Sequence, residues 1–249
     1  MNKVGVINKI LDSETNPSEE LSLENIEELP PDIGRLSNLK NLRLSDNKKL
    51  TSLPPQIGQL INLEILYLQH CALLTLPAEI GHLTNLKKLN LRGNQLTKLP
   101  PEIGELTNLE KLNLSENRLI SLPSEIGQLI NLKSIYLANN QLTCLPSVIS
   151  KLNPKDFDAA GNQFIFPPQD VVRKGFSAVQ KFFSSENEYS RGQLVITLGQ
   201  TKDPLTVESL LAALKDEDNN IVSFRQVCIA SPDLKKFSKH AGFMSPISW

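Results

Sequence analysis

Leu99-Pro100-Pro101-Glu102-Ile103-Gly104 is one member of a set. Leu53-Pro54-Pro55-Gln56-Ile57-Gly58, Leu76-Pro77-Ala78-Glu79-Ile80-Gly81 and Leu122-Pro123-Ser124-Glu125-Ile126-Gly127 repeat its pattern every 23 residues, from 53 to 76, 76 to 99 and 99 to 122. An earlier copy starts at Leu29 and is one residue longer. A later one at Leu145 is degraded, with Ser150 in the glycine position and Pro154 intruding. Each unit continues as in Leu86-Lys87-Lys88-Leu89-Asn90-Leu91-Arg92-Gly93-Asn94-Gln95-Leu96. A fixed period of this length marks stacked supersecondary units, and it decides the architecture.

In Leu89-Asn90-Leu91 the apolar residues alternate with period two, as a half-buried strand requires. One unit cannot bury its own leucines, so neighbours must stack into a one-dimensional solenoid with a parallel sheet on one face. Leu86, Leu89, Leu91, Leu96 and their equivalents form the inward ladder. A second column is polar: Asn47, Asn94, Asn117, Asn140 and Asn162. Where the chain turns out of the strand, its buried backbone groups need partners, and an asparagine amide both donates and accepts. Cys71 takes this place in one unit, as a buried spine residue whose thiol is a weak donor. The Pro-Pro and Ile-Gly elements belong to the returning, convex side, where a fixed φ and a missing N–H are tolerated.

These columns resemble the leucine-rich repeat, in the LPxxIGxLxNLxxLxLxxNxL form found in Ras-binding scaffold proteins, Roco-type proteins and many bacterial proteins. The resemblance runs from about Leu21 to Phe183. It implies an α/β leucine-rich-repeat solenoid, a horseshoe with a concave parallel sheet, helical caps and a small C-terminal α/β extension. Residues 1–20 are expected to form an N-terminal capping helix, 21–166 the repeats, 167–185 a C-terminal capping helix and 186–249 the extension. Val4, Ile7, Ile10 and Leu11 lie close to one helical face and suit the first cap. Pro167-Pro168-Gln169-Asp170 opens a helix through Val172, Phe176, Val179, Phe182 and Phe183 for the second. In the extension the sequence suggests a strand at 193–198, a helix at about 207–215 and further helix within 223–240.

Composition narrows the function. The 249 residues carry 26 basic and 27 acidic side chains, a net charge of −1, which argues against a nucleic-acid footprint or a polybasic membrane anchor. No stretch reaches the roughly 20 apolar residues that span a bilayer. No signal-peptide core fits the first residues, and three cysteines make no disulfide framework. The expectation is a monomer in a cytoplasm, or a protein delivered into a host cytosol.

Catalysis finds little support. After Leu194-Val195-Ile196-Thr197-Leu198-Gly199 the phosphate-loop pattern requires a glycine and a lysine, but the chain has Pro204 and Leu205. Cys228 lacks the acid two residues on that marks the nucleophile of ubiquitin-ligase domains attached to bacterial leucine-rich repeats. The reading is therefore a module without enzyme activity, cofactor or metal. The alternative is a ubiquitin-ligase-like or degenerate Roco-type chain active in its extension.

The remaining candidate is the outward face of the sheet, about 25–30 Å long for six strands. Aligned by repeat, its central column reads Arg43, Tyr67, Asn90, Asn113, Tyr136 and Asp158, and the column before it Asn41, Ile65, Lys88, Lys111, Ser134 and Asp156. The column after it includes Gln69 and Arg92. Two of the three tyrosines fall in one outward column, and tyrosine and arginine often dominate interface energy. Lys88, Arg92 and Lys111 read as a basic centre, so the expected partner is a protein, such as an enzyme, with an acidic patch. The near-uniform repeats are also similar to those of effectors that intracellular bacteria deliver into host cells. That resemblance implies a chain that inhibits or scaffolds a host or bacterial enzyme.

If the ladder has this register, Leu112→Ala should cost roughly 2–5 kcal/mol in a thermal or denaturant unfolding experiment. A loss of less than about 1 kcal/mol would place Leu112 outside the ladder.

Overall fold

The computed structural model describes residues 3–15 and 18–184. Seven three-residue strands pair in parallel and in sequence order: β1 (Glu20–Ser22), β2 (Asn41–Arg43), β3 (Ile65–Tyr67), β4 (Lys88–Asn90), β5 (Lys111–Asn113), β6 (Ser134–Tyr136) and β7 (Asp156–Asp158). The sheet is open, and it is one strand longer than the six aligned from sequence. β1 was missed because its unit is shortened. Only two residues, Glu24 and Asn25, separate Leu23 from Ile26, against four between Leu91 and Leu96, and with Asn25 in the left-handed position (φ 56°) no place remains for a spine asparagine.

Between strands the chain returns through five-residue 3-10 turns, at Pro31–Arg35, Pro55–Gln59, Ala78–His82, Pro101–Glu105, Ser124–Gln128 and Ser147–Lys151. The reason is a spacing constraint. Adjacent strands lie about 4.8 Å apart, whereas an α-helix with its side chains is about 10 Å across. A narrow turn with little side-chain bulk can follow the sheet more closely. The Ile-Gly glycines serve this packing. A Cβ on Gly104 would lie 2.6 Å from the Glu125 carbonyl oxygen and 2.7 Å from the Glu125 Cβ.

Left-handed backbone falls elsewhere, two residues after the apolar residue that follows each strand. Asn25, Asp46, His70, Glu116 and Asn139 have φ between 56° and 63° there, and Gly93 and Gly161 supply glycine in two units.

The asparagine spine forms as the buried-backbone argument requires. Asn94 donates through Nδ2 to the carbonyls of Leu68 and Leu91, both at 2.8 Å, and its Oδ1 accepts the Leu73 N–H at 3.0 Å. Asn47, Asn117, Asn140 and Asn162 make the equivalent bonds. Cys71 keeps one of them, donating from Sγ to the Leu44 carbonyl at 3.1 Å. It offers no matching acceptor, and the chain compensates locally. The longer unit carries an extra residue at Lys48-Lys49, and the Leu50 N–H bonds to the backbone carbonyl of Asn47 at 2.9 Å. Burial pushes the Cys71 thiol up to about 11, well clear of a nucleophile's range.

Helix α1 (Lys3–Thr15) packs on the first 3-10 turn. Among its described side chains Val6 and Ile10 are buried and Ile7 and Leu11 half-buried. The single helix expected after Pro168 is two: α2 (Gln169–Arg173) and α3 (Phe176–Ser184), separated at Gly175, whose φ is 93°. Val172, Phe176 and Val179 are buried, and the Phe176 ring meets Phe157 of β7 edge-on with centroids 5.2 Å apart. The elements expected at 193–198, 207–215 and 223–240 lie outside the described residues, as do Cys228 and His240. No helix among the described residues is long and apolar enough to cross a membrane.

Two predictions follow from the turn spacing and the spine. Gly104→Ala should destabilise the chain by about 1–3 kcal/mol, the range for overpacking. Gly34→Ala should cost less, because the nearest atoms there belong to the mobile end of the Gln59 side chain. Equal losses in urea titrations would refute the spacing argument. Cys71→Ser should be milder than Cys71→Val, since only serine keeps a donor for the Leu44 carbonyl; the reverse order would remove Cys71 from the spine.

Candidate protein-binding face

The pairing register fixes the outward columns without slippage. Arg43, Tyr67, Asn90, Asn113, Tyr136 and Asp158 follow one another rung by rung, and so do Asn41, Ile65, Lys88, Lys111, Ser134 and Asp156. All the face residues expected from sequence therefore share one surface, but they differ in exposure. Arg43, Lys88, Arg92, Lys111, Asp156 and Asp158 are exposed, whereas Ile65, Tyr67, Gln69, Asn90, Asn113 and Tyr136 are half-buried. Asn41, Ser115, Ser134 and Ala138 are buried by their neighbours.

Each strand-face tyrosine lies beside a cation. The Arg43 guanidinium sits 5.5 Å from the Tyr67 ring centroid, and the Lys111 ammonium 5.3 Å from that of Tyr136. Cation–π attraction of this kind restrains both partners. Between the tyrosines lies a pocket of about 310 Å³, lined by Tyr67, Gln69, Lys88, Leu89, Asn90, Lys111 and Asn113. Asn90 and Asn113 are fixed by their own backbones. Each Oδ1 accepts the N–H two residues on, from Arg92 at 3.2 Å and Ser115 at 3.0 Å. Asp158 does the same with Ala160 at 3.0 Å, and Asp156 accepts from the Ser134 hydroxyl at 2.8 Å.

The basic centre is smaller than the sequence suggested. Arg92 donates to the Glu116 carboxylate at 2.7 Å. The pairing raises the Arg92 pKa and lowers that of Glu116, chiefly through the hydrogen bond. The unneutralised cations at the pocket are Lys88 and Lys111. A further column went unread: the residues just before β1 to β6 are Glu19, Lys40, Glu64, Lys87, Glu110 and Lys133 in turn, and Lys155 before β7 ends the alternation. Lys40, Lys87 and Lys133 reach back to Glu19, Glu64 and Glu110 at 2.6, 2.7 and 2.9 Å. The alternation of sign at a 23-residue period was visible in sequence once that column was aligned. Exposed pairs of this kind add little to stability.

No group of three His, Cys, Asp or Glu residues that could hold a metal occurs among the described residues. His70 lies beside Gly93 at the end of the strand face, and His82 in a 3-10 turn.

Family models for leucine-rich repeats match residues 37–96 and, for a leucine-rich repeat region, 78–154. The chain carries leucine-rich repeats. Among solved structures it is similar to a leucine-rich-repeat protein of Leptospira interrogans, with 36% identity and a TM-score of 0.50 over 61% of this chain and 45% of that one. It is similar to the leucine-rich repeat domain of the type III effector XopL, with 31% identity and a TM-score of 0.57 over 64% of this chain and 57% of that one. The ectodomain of the Arabidopsis thaliana receptor kinase GASSHO1/SCHENGEN3, in complex with CASPARIAN STRIP INTEGRITY FACTOR 2, shares 39% identity and a TM-score of 0.52 over 55% of this chain and 17% of the receptor. The chain thus spans less than two thirds of each. No curated protein sequence matches it. Leucine-rich repeats of this kind fit a protein-interaction module.

Proposed function

We propose that this chain is a non-enzymatic binding module that holds a protein partner on its concave strand face. The observation that carries the reading is the pair of half-buried tyrosines in one outward column, each beside a cation, with a pocket between them. Solubility alone gives no reason to place rings there. Aromatic residues restrained before binding lose little entropy on contact, which is what interface anchors require. The GASSHO1/SCHENGEN3 ectodomain, which holds a factor, supports protein or peptide binding by a repeat surface. The likeness to a type III effector domain supports the narrower reading of a bacterial effector that inhibits or scaffolds a host or bacterial enzyme. That role would place the protein in a cytoplasm, its own or a host's.

Tyr67→Ala and Tyr136→Ala should each weaken the partner by more than about 1 kcal/mol, mainly through faster dissociation. Lys88→Glu with Lys111→Glu should slow association and reduce its salt dependence. Glu79→Lys with Glu102→Lys, in the 3-10 turns on the convex side, should change little. A pull-down with the intact chain and the double tyrosine variant identifies the partner, and surface plasmon resonance then ranks the variants. If the convex pair or deletion of 191–249 abolishes binding while the tyrosine variants bind normally, the strand-face reading fails.

A further inference from the structure

Lys88 and Lys111 are direct register partners on β4 and β5, about 4.8 Å apart along the sheet. Like charges placed side by side on a sheet are destabilising. In the adjoining column Glu64, Lys87, Glu110 and Lys133 alternate, with Lys87 and Lys133 paired to Glu64 and Glu110, and like charges meet only where Lys155 follows Lys133 at β7. Among the described residues neither Lys88 nor Lys111 has an ion-pair partner, although Glu110, bound to Lys133, is near enough to feel Lys88. The unfavourable pair lines the pocket on the strand face.

Two further features define what would relieve it. Asn90 and Asn113 commit their oxygens to the backbone, so their Nδ2 groups are left as donors on adjacent rungs of the pocket. Gln69 contributes the opposite polarity. Its Oε1 is buried and accepts no hydrogen bond. Two cations and two amide donors call for an anion with several acceptor oxygens. A rotation of the half-buried Gln69 side chain that turns this acceptor into the pocket would let it take an N–H from the same ligand. A bare inorganic anion or a free dicarboxylate has no N–H to give, whereas an aspartate or glutamate within a polypeptide has both groups.

We propose that the β3–β5 pocket binds an acidic residue in an extended segment of a protein partner. Lys88 and Lys111 take the carboxylate with the Asn90 and Asn113 amides, and Gln69, turned so that its Oε1 faces the pocket, accepts a backbone N–H of the same segment. The proposal rests on the strand-face reading and specifies its ligand. Tyr67 walls the pocket on the β3 side. Asp156 and Asp158, two rungs beyond Lys111, repel the same segment, so it is confined to the β2–β5 end of the face.

The test uses the full chain and fluorescence anisotropy, with a labelled Glu-rich peptide, its Gln-for-Glu counterpart, and free glutarate as competitor. The Glu-rich peptide should bind at least about tenfold more tightly than the Gln form, the loss expected from one charge-assisted contact. Lys88→Gln with Lys111→Gln should abolish that difference, and Lys87→Gln should preserve it. Gln69→Leu should weaken the peptide severalfold and leave glutarate unaffected. Equal binding of the two peptides, equal potency of glutarate and peptide, or self-association of the chain that the Glu-rich peptide disperses would each overturn the proposal. A partner that the tyrosine variants release, but that Lys88→Gln with Lys111→Gln retains, overturns the carboxylate seat and leaves the strand-face reading intact.

Discussion

Each turn of this chain has to pack on the next at the distance between hydrogen-bonded strands, about 4.8 Å, on the side of the molecule that has no sheet as well as on the side that has one. The strands hold that spacing through backbone hydrogen bonds. On the returning side nothing so regular is available, and the sequence meets the constraint with 3-10 turns that begin after proline and, in five of the six, present glycine to the neighbouring turn. The leucine ladder depends on this. Leu89, Leu112 and Ile135 are buried between units, and a unit that moved away would open space along its whole length.

The spine shows how closely neighbouring units are coupled. An asparagine in one unit satisfies an N–H in the unit before it, so an insertion in that earlier unit can remove the need. The extra residue at Lys48-Lys49 lets the Asn47 backbone carbonyl take the Leu50 N–H. Cys71, one unit later, then needs only to donate. Two irregularities that look independent in the sequence, a longer repeat and a cysteine in an asparagine column, are one hydrogen-bonding arrangement. An asparagine at 71 would bring a buried oxygen to a place where the donor is already taken.

Much of this was legible because identical constraints recur. The strand register, the leucine ladder and the asparagine column each follow from aligning units, and alignment averages out local noise. What escaped was what does not repeat. The shortened first unit hid β1, and the break at Gly175 hid the division between α2 and α3, because a single left-handed residue leaves the apolar spacing of a helix unchanged. On the face, alignment placed every candidate residue on the correct column but could not show what each touches. Arg92 looked like part of a basic centre, yet Glu116, in the next unit's left-handed position, neutralises it.

The contrast between adjoining columns explains why function is to be sought on the outward face. The inward positions have no freedom, since a leucine there is fixed by its neighbours above and below. The column before each strand has some freedom, and from β1 to β6 the chain uses it to alternate charge, with Lys155 following Lys133 at β7. One residue further along, the same chain places Lys88 beside Lys111, tyrosines beside cations, and an unsatisfied Gln69 oxygen next to amide donors. The tyrosine–cation contacts contribute a little to stability, whereas the lysine pair and the unsatisfied oxygen work against it. Stability accounts for the regular columns. The lysine pair and the Gln69 oxygen find no such account, and a ligand that supplied a negative charge and a hydrogen-bond donor would relieve both.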